Sequence, residues 1–373
     1  VPKTLLWANR FPPLFGGTQT LFYNVCLKFQ PSDIVVYTQT SPGCQKFDQE
    51  QKFKIYRTPQ CSFFWEGFWA EIKNLRSIIK NEGIENIIFG NVNPCLTMLL
   101  LRWVWGHKYT LYAHAEEITG MQWNSLARLI RKWAIKSAQK VFVVSDYTES
   151  LIKPLNPQTV VLYNAVQTSE FFPEPKNESL LKSFGAKGKL VLMTLARLQK
   201  SKGHNRVLEV LPELIKKYPD LLYIIGGTGD YERTLKERVA QLNLQDYVIF
   251  AGRVESGSLR SFYNLCDIFV MPNFEVSEPQ GGVVVEGFGI VFLEANACGK
   301  PVVGGLAGGV PSAIKDGYSG FLVKQGDSQD LYNKLDILLK DQTLRESLGK
   351  QGQEWAAQFT YDCLVEKLKA HLI

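Results

Sequence analysis

An α/β fold built from two doubly wound parallel sheets is what this sequence predicts, and three observations carry that expectation. Short runs rich in Val, Ile and Leu, without polar alternation, suit parallel strands covered on both faces. These runs alternate with helical patterns almost throughout the chain. At 373 residues the chain is too long for one typical core and suits two domains of roughly 150–200 residues each.

In order, strands are expected over residues 4–8, 33–38, 54–56, 86–89, 109–113, 140–144 and 159–162 in the first half. In the second half they are expected over 190–195, 222–226, 248–251, 268–271, 301–304 and 320–323. Between the halves, "FFPEPKNESLLKSFGAKGK" clusters proline, charge and glycine ahead of a fresh strand. The expected domains are therefore 1–173 and 174–355, with a C-terminal helix in 356–373 packing back on the first. In such sheets ligands bind beyond the carboxyl ends of the strands. Two units facing each other would form one deep cleft, so the strand-to-helix loops are where chemistry is sought.

Composition narrows the classes. Hydrophobic residues are 45% and charged residues 21%, as in ordinary globular proteins. "CLTMLLLRWVWG" is too short to span a bilayer and contains Arg102. "VPKTLLWANRFPP" reads as a first strand rather than a signal peptide. Seven scattered cysteines without a C-x-x-C pair argue for a reducing cytoplasm. Four histidines and no H-E-x-x-H argue against a dedicated metal site. Of the net charge of +6, +5 lies in residues 1–175. That excess suits an anionic membrane surface or a phosphorylated ligand without choosing between them.

Four loops hold the candidate chemistry. In "RFPPLFGGTQT", Gly16 and Gly17 follow the first strand and precede a helical pattern. Paired glycines there let backbone N–H groups approach an anion, or simply make a tight turn. In "TLARLQKSKGHNR", Arg197 and Lys202 lie beyond a strand end. A guanidinium fork and an ammonium point charge together suit a diphosphate; a solvated basic loop is the plainer reading. In "EGFGIVFLEANACGKPVV", Glu286 and Glu294 bracket Gly287 and Gly289 at the start of an expected helix. Carboxylates are two-oxygen acceptors suited to vicinal sugar hydroxyls, and the flanking glycines favour this over two solvated glutamates. In "TLYAHAEEITG", His114 ends a strand, with Glu116 and Glu117 beside it. "IIGGTGDYE" lacks the third glycine of a dinucleotide fingerprint, since Glu232 stands in that place.

Taken together and in this order, "FPPLFGGTQ", "HAEE", "VVSDYT", "LARLQKSKG", "IIGGTGDYE", "FAGRV", "EGFGIVFLEANACGKPVV" and "GGVPSAIKDGYSGFLV" resemble the retaining glycosyltransferases of family four. The resemblance spans nearly the whole chain, and "VEGFGIVFLEA" with "FPP" is most similar to bacterial phosphatidylinositol mannosyltransferase-like enzymes. It implies the GT-B fold, two Rossmann-like doubly wound parallel-sheet domains facing across a deep cleft, and no bound metal or other cofactor. The substrate implied is a nucleotide sugar, GDP-mannose first and a UDP-hexose next. Arg197 and Lys202 would hold the donor diphosphate, Glu294 the ribose and Glu286 the hexose. The backbone of Gly287, Phe288, Gly289, Ile290 and Val291 would line the sugar and β-phosphate. Gly16 and Gly17 would approach the phosphate from the other domain, His114 would contact the sugar near the reacting centre, and Gly227 and Val254 would lie near the base. On the acceptor side stand Arg10, Gln19 and Glu117. Arg10 departs from the pattern, because those mannosyltransferases tend to carry an acidic residue before "FPP". That departure bears on phosphatidylinositol as the acceptor.

The implied acceptor is a lipid, a lipid-linked molecule or a soluble carbohydrate; nucleic acid is not among the expected partners. "SLARLIRKWAIKSAQK" sets Leu126, Leu129, Ile130 and Trp133 on one helical stripe, with Arg128, Arg131, Lys132, Lys136 and Lys140 elsewhere. The commoner reading of such a stripe is that it faces the core; the other is a helix lying on an anionic membrane at the inner face of the cell. "CSFFWEGFW" lines a site or packs inside. Two other functions compete with hexosyl transfer: a non-catalytic nucleotide-sugar-binding protein, and a dinucleotide-dependent dehydrogenase using Gly226–Gly229.

Overall fold

The computed structural model describes residues 2–14, 16–59, 65–119, 125–279 and 281–372, without the side chains of 65–67, 116 and 125. The chain divides into two compact units, Val1–Asn164 with Tyr361–Ile373, and Ala165–Thr360.

The first unit holds a seven-stranded sheet of β1 (Thr4–Trp7), β2 (Ile34–Gln39), β3 (Lys54–Thr58), β4 (Asn86–Phe89), β5 (Thr110–Ala113), β6 (Lys140–Val143) and β7 (Thr159–Val161). Its order is β3-β2-β1-β4-β5-β6-β7, and every pairing is parallel. The apolar runs are buried as their lack of alternation requires: Leu5, Val35, Phe89, Leu111 and Val141 share one core. The helix Tyr361–Ala370 returns to this unit. Asp362 pairs with Lys28 at 2.8 Å, and Lys140 Nζ donates to the His371 carbonyl at 2.8 Å.

The second unit holds a six-stranded parallel sheet, with two further strands forming a separate hairpin. In chain order they are β8 (Leu190–Leu195), β9 (Leu221–Gly226), β10 (Val248–Gly252), β11 (Ile268–Met271), β12 (Val276–Ser277), β13 (Val283–Val284), β14 (Val302–Gly305) and β15 (Gly320–Val323). The sheet order is β10-β9-β8-β11-β14-β15. β12 and β13 pair antiparallel, which gives the "NFEVSEPQGGVVVEG" loop a hairpin that the sequence did not announce. Two-residue strands carry too little apolar pattern to be seen.

Both sheets reverse strand order next to their first strand, between β1 and β4 and between β8 and β11. These switch points open a crevice beyond the carboxyl ends of the strands. The loops after β1 and β8 are the ones that carry Gly16 and Gly17, and Arg197 and Lys202.

One expectation reverses. In the helix Ser125–Ser137 the buried side is Arg131, Ala134 and Ile135; of the expected stripe, half-buried Ile130 packs against the core, whereas Leu126, Leu129 and Trp133 face outward. Arg131 turns inward because Asn93 Oδ1 accepts from its guanidinium at 2.8 Å and the Glu117 carbonyl lies at 3.5 Å. Of "CSFFWEGFW", residues 61–64 lie outside the described residues, as do the side chains of 65–67.

Candidate functional site

In the second unit, the loop after β8 continues to pair beyond the strand. Ala196 N donates to Gly226 O at 3.0 Å, and Leu198 N to Thr228 O at 3.0 Å. This close approach explains the glycines of "GGTG". A Cβ on Gly227 would sit 2.0 Å from Ala196 O, and one on Gly229 2.4 Å from Leu198 O. The glycines thus serve the packing of two loops, which removes the feature that suggested a dinucleotide site. Val254, half-buried, packs beside Gly226.

The same loop then makes one 3₁₀ turn, Lys200–Lys202, and ends at Gly203 with φ +79°. Phe274 N donates to Ser201 O at 2.9 Å. A Cβ on Gly203 would meet Pro272 O at 2.1 Å. The turn is therefore clamped to the segment after β11, and Lys202 is presented at the switch point.

Lys202 Nζ lies 2.5 Å from Glu286 Oε2, with the two side chains 20% and 19% exposed. Burial pushes the Glu286 carboxyl up, but the Lys202 ammonium and the backbone N–H groups of Phe288 and Gly287 outweigh it and hold the pKa below the usual carboxylate range. Gly309 N donates to Glu286 O at 2.8 Å and fixes its backbone. Arg197 is exposed and, among the described residues, makes no ion pair or side-chain hydrogen bond. A free guanidinium and an ammonium held by one carboxylate are a receptive arrangement for an anion.

The helix Ile290–Ala297 starts at Gly289, φ +90°, with no side-chain cap. A Cβ there would strike Phe292 at 2.7 Å. Phe288 is buried against Phe359, while Ile290 and Val291 are half-buried at the uncapped first turn. Four residues on, Glu294 Oε2 accepts from Tyr263 Oη at 2.5 Å. Burial raises the Glu294 carboxyl to about 7; the Tyr263 bond works against this and Glu170 adds to it. His204, fully buried with neither ring nitrogen partnered, is lowered to about 4 by burial and by the Lys202 charge.

In the first unit, the loop after β1 is anchored from below. Arg57 pairs with Asp48 at 2.7 Å and donates to Pro12 O at 2.6 Å. Phe11 is buried among Tyr23, Phe47 and Phe53. Arg10 on this loop is exposed. Gly16 caps the helix Gly17–Leu27 without a side-chain bond, leaving first-turn N–H groups unclaimed by a cap. A Cβ at Gly17 would meet nothing within 4 Å, whereas one at Gly16 would meet Gln19 Oε1 at 2.7 Å. Gln19 accepts from Thr18 Oγ1 at 3.1 Å.

His114 follows β5, stacked on Tyr112 at 5.5 Å and edge-on to Phe22 at 5.9 Å. Its Nε2 is enclosed without a partner. Burial lowers the ring to about 4 despite a hydrogen bond to the Gly90 backbone, so it is neutral at physiological pH. Glu117, expected on the acceptor side, accepts from Val92 N at 2.6 Å. It thereby braces the loop after β4.

Residues 176–355 match the family model for glycosyl transferases group 1. Over 362 residues, 94% of this chain and 93% of the relative, the chain is 30% identical to a Mycolicibacterium smegmatis protein named GDP-mannose-dependent alpha-(1-6)-phosphatidylinositol monomannoside mannosyltransferase. The chain belongs to the group 1 glycosyltransferases.

Another relative in this group is the Corynebacterium glutamicum GDP-mannose-dependent monoacylated alpha-(1-6)-phosphatidylinositol monomannoside mannosyltransferase. It is 28% identical over 376 residues, 98% of this chain and 96% of the relative. Among solved structures, Anabaena Alr3699/HepE in complex with UDP has a TM-score of 0.83 at 19% identity, covering 99% of both chains. That likeness shows the fold, GT-B. Membership makes this chain a glycosyltransferase, and it implies a nucleotide-sugar donor. For a group 1 glycosyltransferase, sequence reasoning here missed Tyr263, which belongs to no quoted motif although the helix Leu259–Leu265 places it under Glu294. It also missed Asn273, whose Oδ1 accepts from Gly305 N at 3.1 Å just beyond β11. A lone polar residue at the end of an apolar strand was the available signal for Asn273.

Proposed function

We propose that this chain is a retaining, metal-independent hexosyltransferase that moves mannose from GDP-mannose to a lipid or lipid-linked acceptor at the inner face of the cell membrane. The observation that carries this reading is the Arg197, Lys202 and Glu286 arrangement at the β8/β11 switch point. Two cations stand where a diphosphate would leave, one of them free. The relatives' names, over more than nine-tenths of their length, support GDP-mannose ahead of a UDP-hexose and a lipid ahead of a soluble sugar.

In this reading the region 174–355 takes the donor and 1–173 faces the acceptor. Arg197 and Lys202 neutralise the diphosphate, Glu294 accepts from the ribose hydroxyls and Glu286 from the hexose. The anomeric C–O bond breaks with its electron pair passing to the β-phosphate oxygen. The acceptor oxygen bonds to the same carbon from the leaving-group face, and its proton passes to the departing phosphate. Charge on that leaving group is what preorganised cations stabilise most effectively, so no protein nucleophile is required. The uncapped helix beginning at Gly17 and the neutral His114 complete the first unit's contribution, to phosphate and to sugar respectively.

Thermal shifts with GDP, UDP, ADP and NAD at matched concentrations test the donor. Ligand at about 100 times its dissociation constant stabilises by roughly 2.7 kcal/mol. A response to GDP, followed by transfer of labelled mannose into a lipid extract, supports the reading. A response to NAD alone, or GDP binding without any transfer, overturns it in favour of the dehydrogenase or the non-catalytic binder.

A further inference from the structure

The outward side of the helix Ser125–Ser137 has no role in the core. Its inward side already packs through Ala134 and Ile135 and is tied down by Arg131. Yet Leu126, Leu129 and Trp133 stand 65%, 45% and 47% exposed on the other side. They recur at positions i, i+3 and i+7, one continuous stripe.

A second helix extends the stripe. Trp103 ends the helix Cys95–Trp103 and meets Trp133 with ring centroids 5.9 Å apart. Trp103 and Val104 are 60% and 61% exposed, and Leu96, seven residues earlier on the same helix, is 50% exposed. Half of the large apolar residues exposed among the described residues thus fall on these two short segments. Contiguous exposed apolar surface marks an interaction site.

Charge chooses the partner. Residues 95–108 and 125–140 contain no aspartate or glutamate. Arg128, Lys132 and Lys136 are exposed beside the apolar stripe, and Lys108 is exposed beyond Trp103. Tryptophan and leucine between lysine and arginine match the interface of an anionic bilayer, with rings at headgroup depth and cations on the phosphates. A second copy of this chain would bring the same cations against themselves. Among the described residues no helix is long and apolar enough to cross a membrane, so the contact is one of lying on the surface.

We propose that the face formed by Leu96, Trp103, Val104, Leu126, Leu129 and Trp133 docks on an anionic lipid surface. The inference rests on the reading of a lipid acceptor, and it names the surface that would bring the first unit to that acceptor.

Co-sedimentation of the full chain with phosphatidylcholine vesicles, with and without phosphatidylglycerol, tests it without donor or turnover. Binding is expected to require phosphatidylglycerol and to weaken with salt. The double variant Trp103→Ser, Trp133→Ser should lower the partition coefficient about tenfold or more. Neutralising Arg128, Lys132 and Lys136 to glutamine should cost about fivefold per cation at low salt. Each variant must keep the wild-type Tm and thermal response to GDP; for any that does not, Leu129→Ser, a single change at an exposed site, serves as the test. Wild-type protein that stays in the supernatant at low salt overturns the proposal. So do tryptophan variants that bind as well as wild type, or a wild-type dimer that the same substitutions dissociate. Vesicle binding without any hexosyl transfer would leave the docking face standing and remove only the transfer reaction.

Discussion

Lys202 and Glu286 meet at 2.5 Å across 84 residues of sequence, and each is four-fifths buried. A largely buried ion pair is weak evidence for stability, since desolvation offsets much of its attraction. Its position suggests another use. The pair sets the Lys202 ammonium beside the Glu286 carboxylate at the switch point. In the proposed reading, an arriving diphosphate would compete for the ammonium and a hexose for the carboxylate.

Lys202→Ala is therefore expected to cost more in turnover than in folding. Loss of a charge-stabilising donor lowers kcat by about 2.7–4 kcal/mol, a hundred- to thousand-fold. Unfolding free energy should fall by about 1–2 kcal/mol, between the values for exposed and fully buried pairs. Steady-state kinetics and urea unfolding on the same preparation check both. Near-normal kcat would take Lys202 out of the reaction.

Glu286→Ala separates sugar from nucleotide. Removing the carboxylate frees Lys202, so calorimetry should show GDP binding at least as tightly as in wild type. Transfer should nevertheless collapse if, as proposed, the carboxylate is what accepts from the hexose. GDP binding abolished by this change would mean that Glu286 holds the nucleotide or the loop itself.

Two glycines should respond in opposite ways. Gly227 has φ +130°, and a Cβ there would lie 2.0 Å from Ala196 O. Gly227→Ala should cost about 2–3 kcal/mol or more and displace the loop that carries Arg197. At Gly17 the space is open, and alanine should raise helix stability by up to about 0.5–1 kcal/mol. If the open space receives a phosphate, the same change should lower kcat/KM by about tenfold or more. Unaltered kinetics in Gly17→Ala would leave that glycine as a turn residue only.

Every strand of the two large sheets overlaps a run expected from sequence, because strands buried on both faces leave uninterrupted apolar stretches. Motif spacing likewise placed Arg197 and Lys202 on one loop. What escaped depends on tertiary contacts that spacing does not encode. Tyr263 and Glu294 are 31 residues apart, and nothing local marks the phenol as their link. Of the stripe Leu126, Leu129, Ile130 and Trp133, read as core-facing, only Ile130 packs against the core, because apolar periodicity reports that one face differs, not which face is inward. Arg131, paired to Asn93, decided the matter. Glu117 was legible as a polar residue beyond a strand, but its bond to Val92 N was not.

Glu294 and His204 carry opposite pH dependences within one unit. Glu294 is raised to about 7 from an ordinary value of 4.5, so the native state retains a proton that the unfolded chain has lost. Its contribution is fully present below about 4.5 and is lost as pH rises through 7. His204 is lowered to about 4 from 6.5, so between those values the unfolded chain binds the proton and the native state does not. Its contribution is present above about 6.5 and is lost as pH falls through 4. Between pH 4.5 and 6.5 the two proton differences are equal and opposite, and together they leave little slope. Glu294→Gln removes one side of the balance. Between pH 6.5 and 5 this variant should lose up to about 2 kcal/mol more stability than wild type, at about 1.36 kcal/mol per pH unit. Urea unfolding at both pH values measures the difference. Parallel behaviour of variant and wild type would mean that Glu294 is already ionised in that range. The Tyr263 bond would then dominate over burial, and Glu294 would meet a ribose as a carboxylate at every physiological pH.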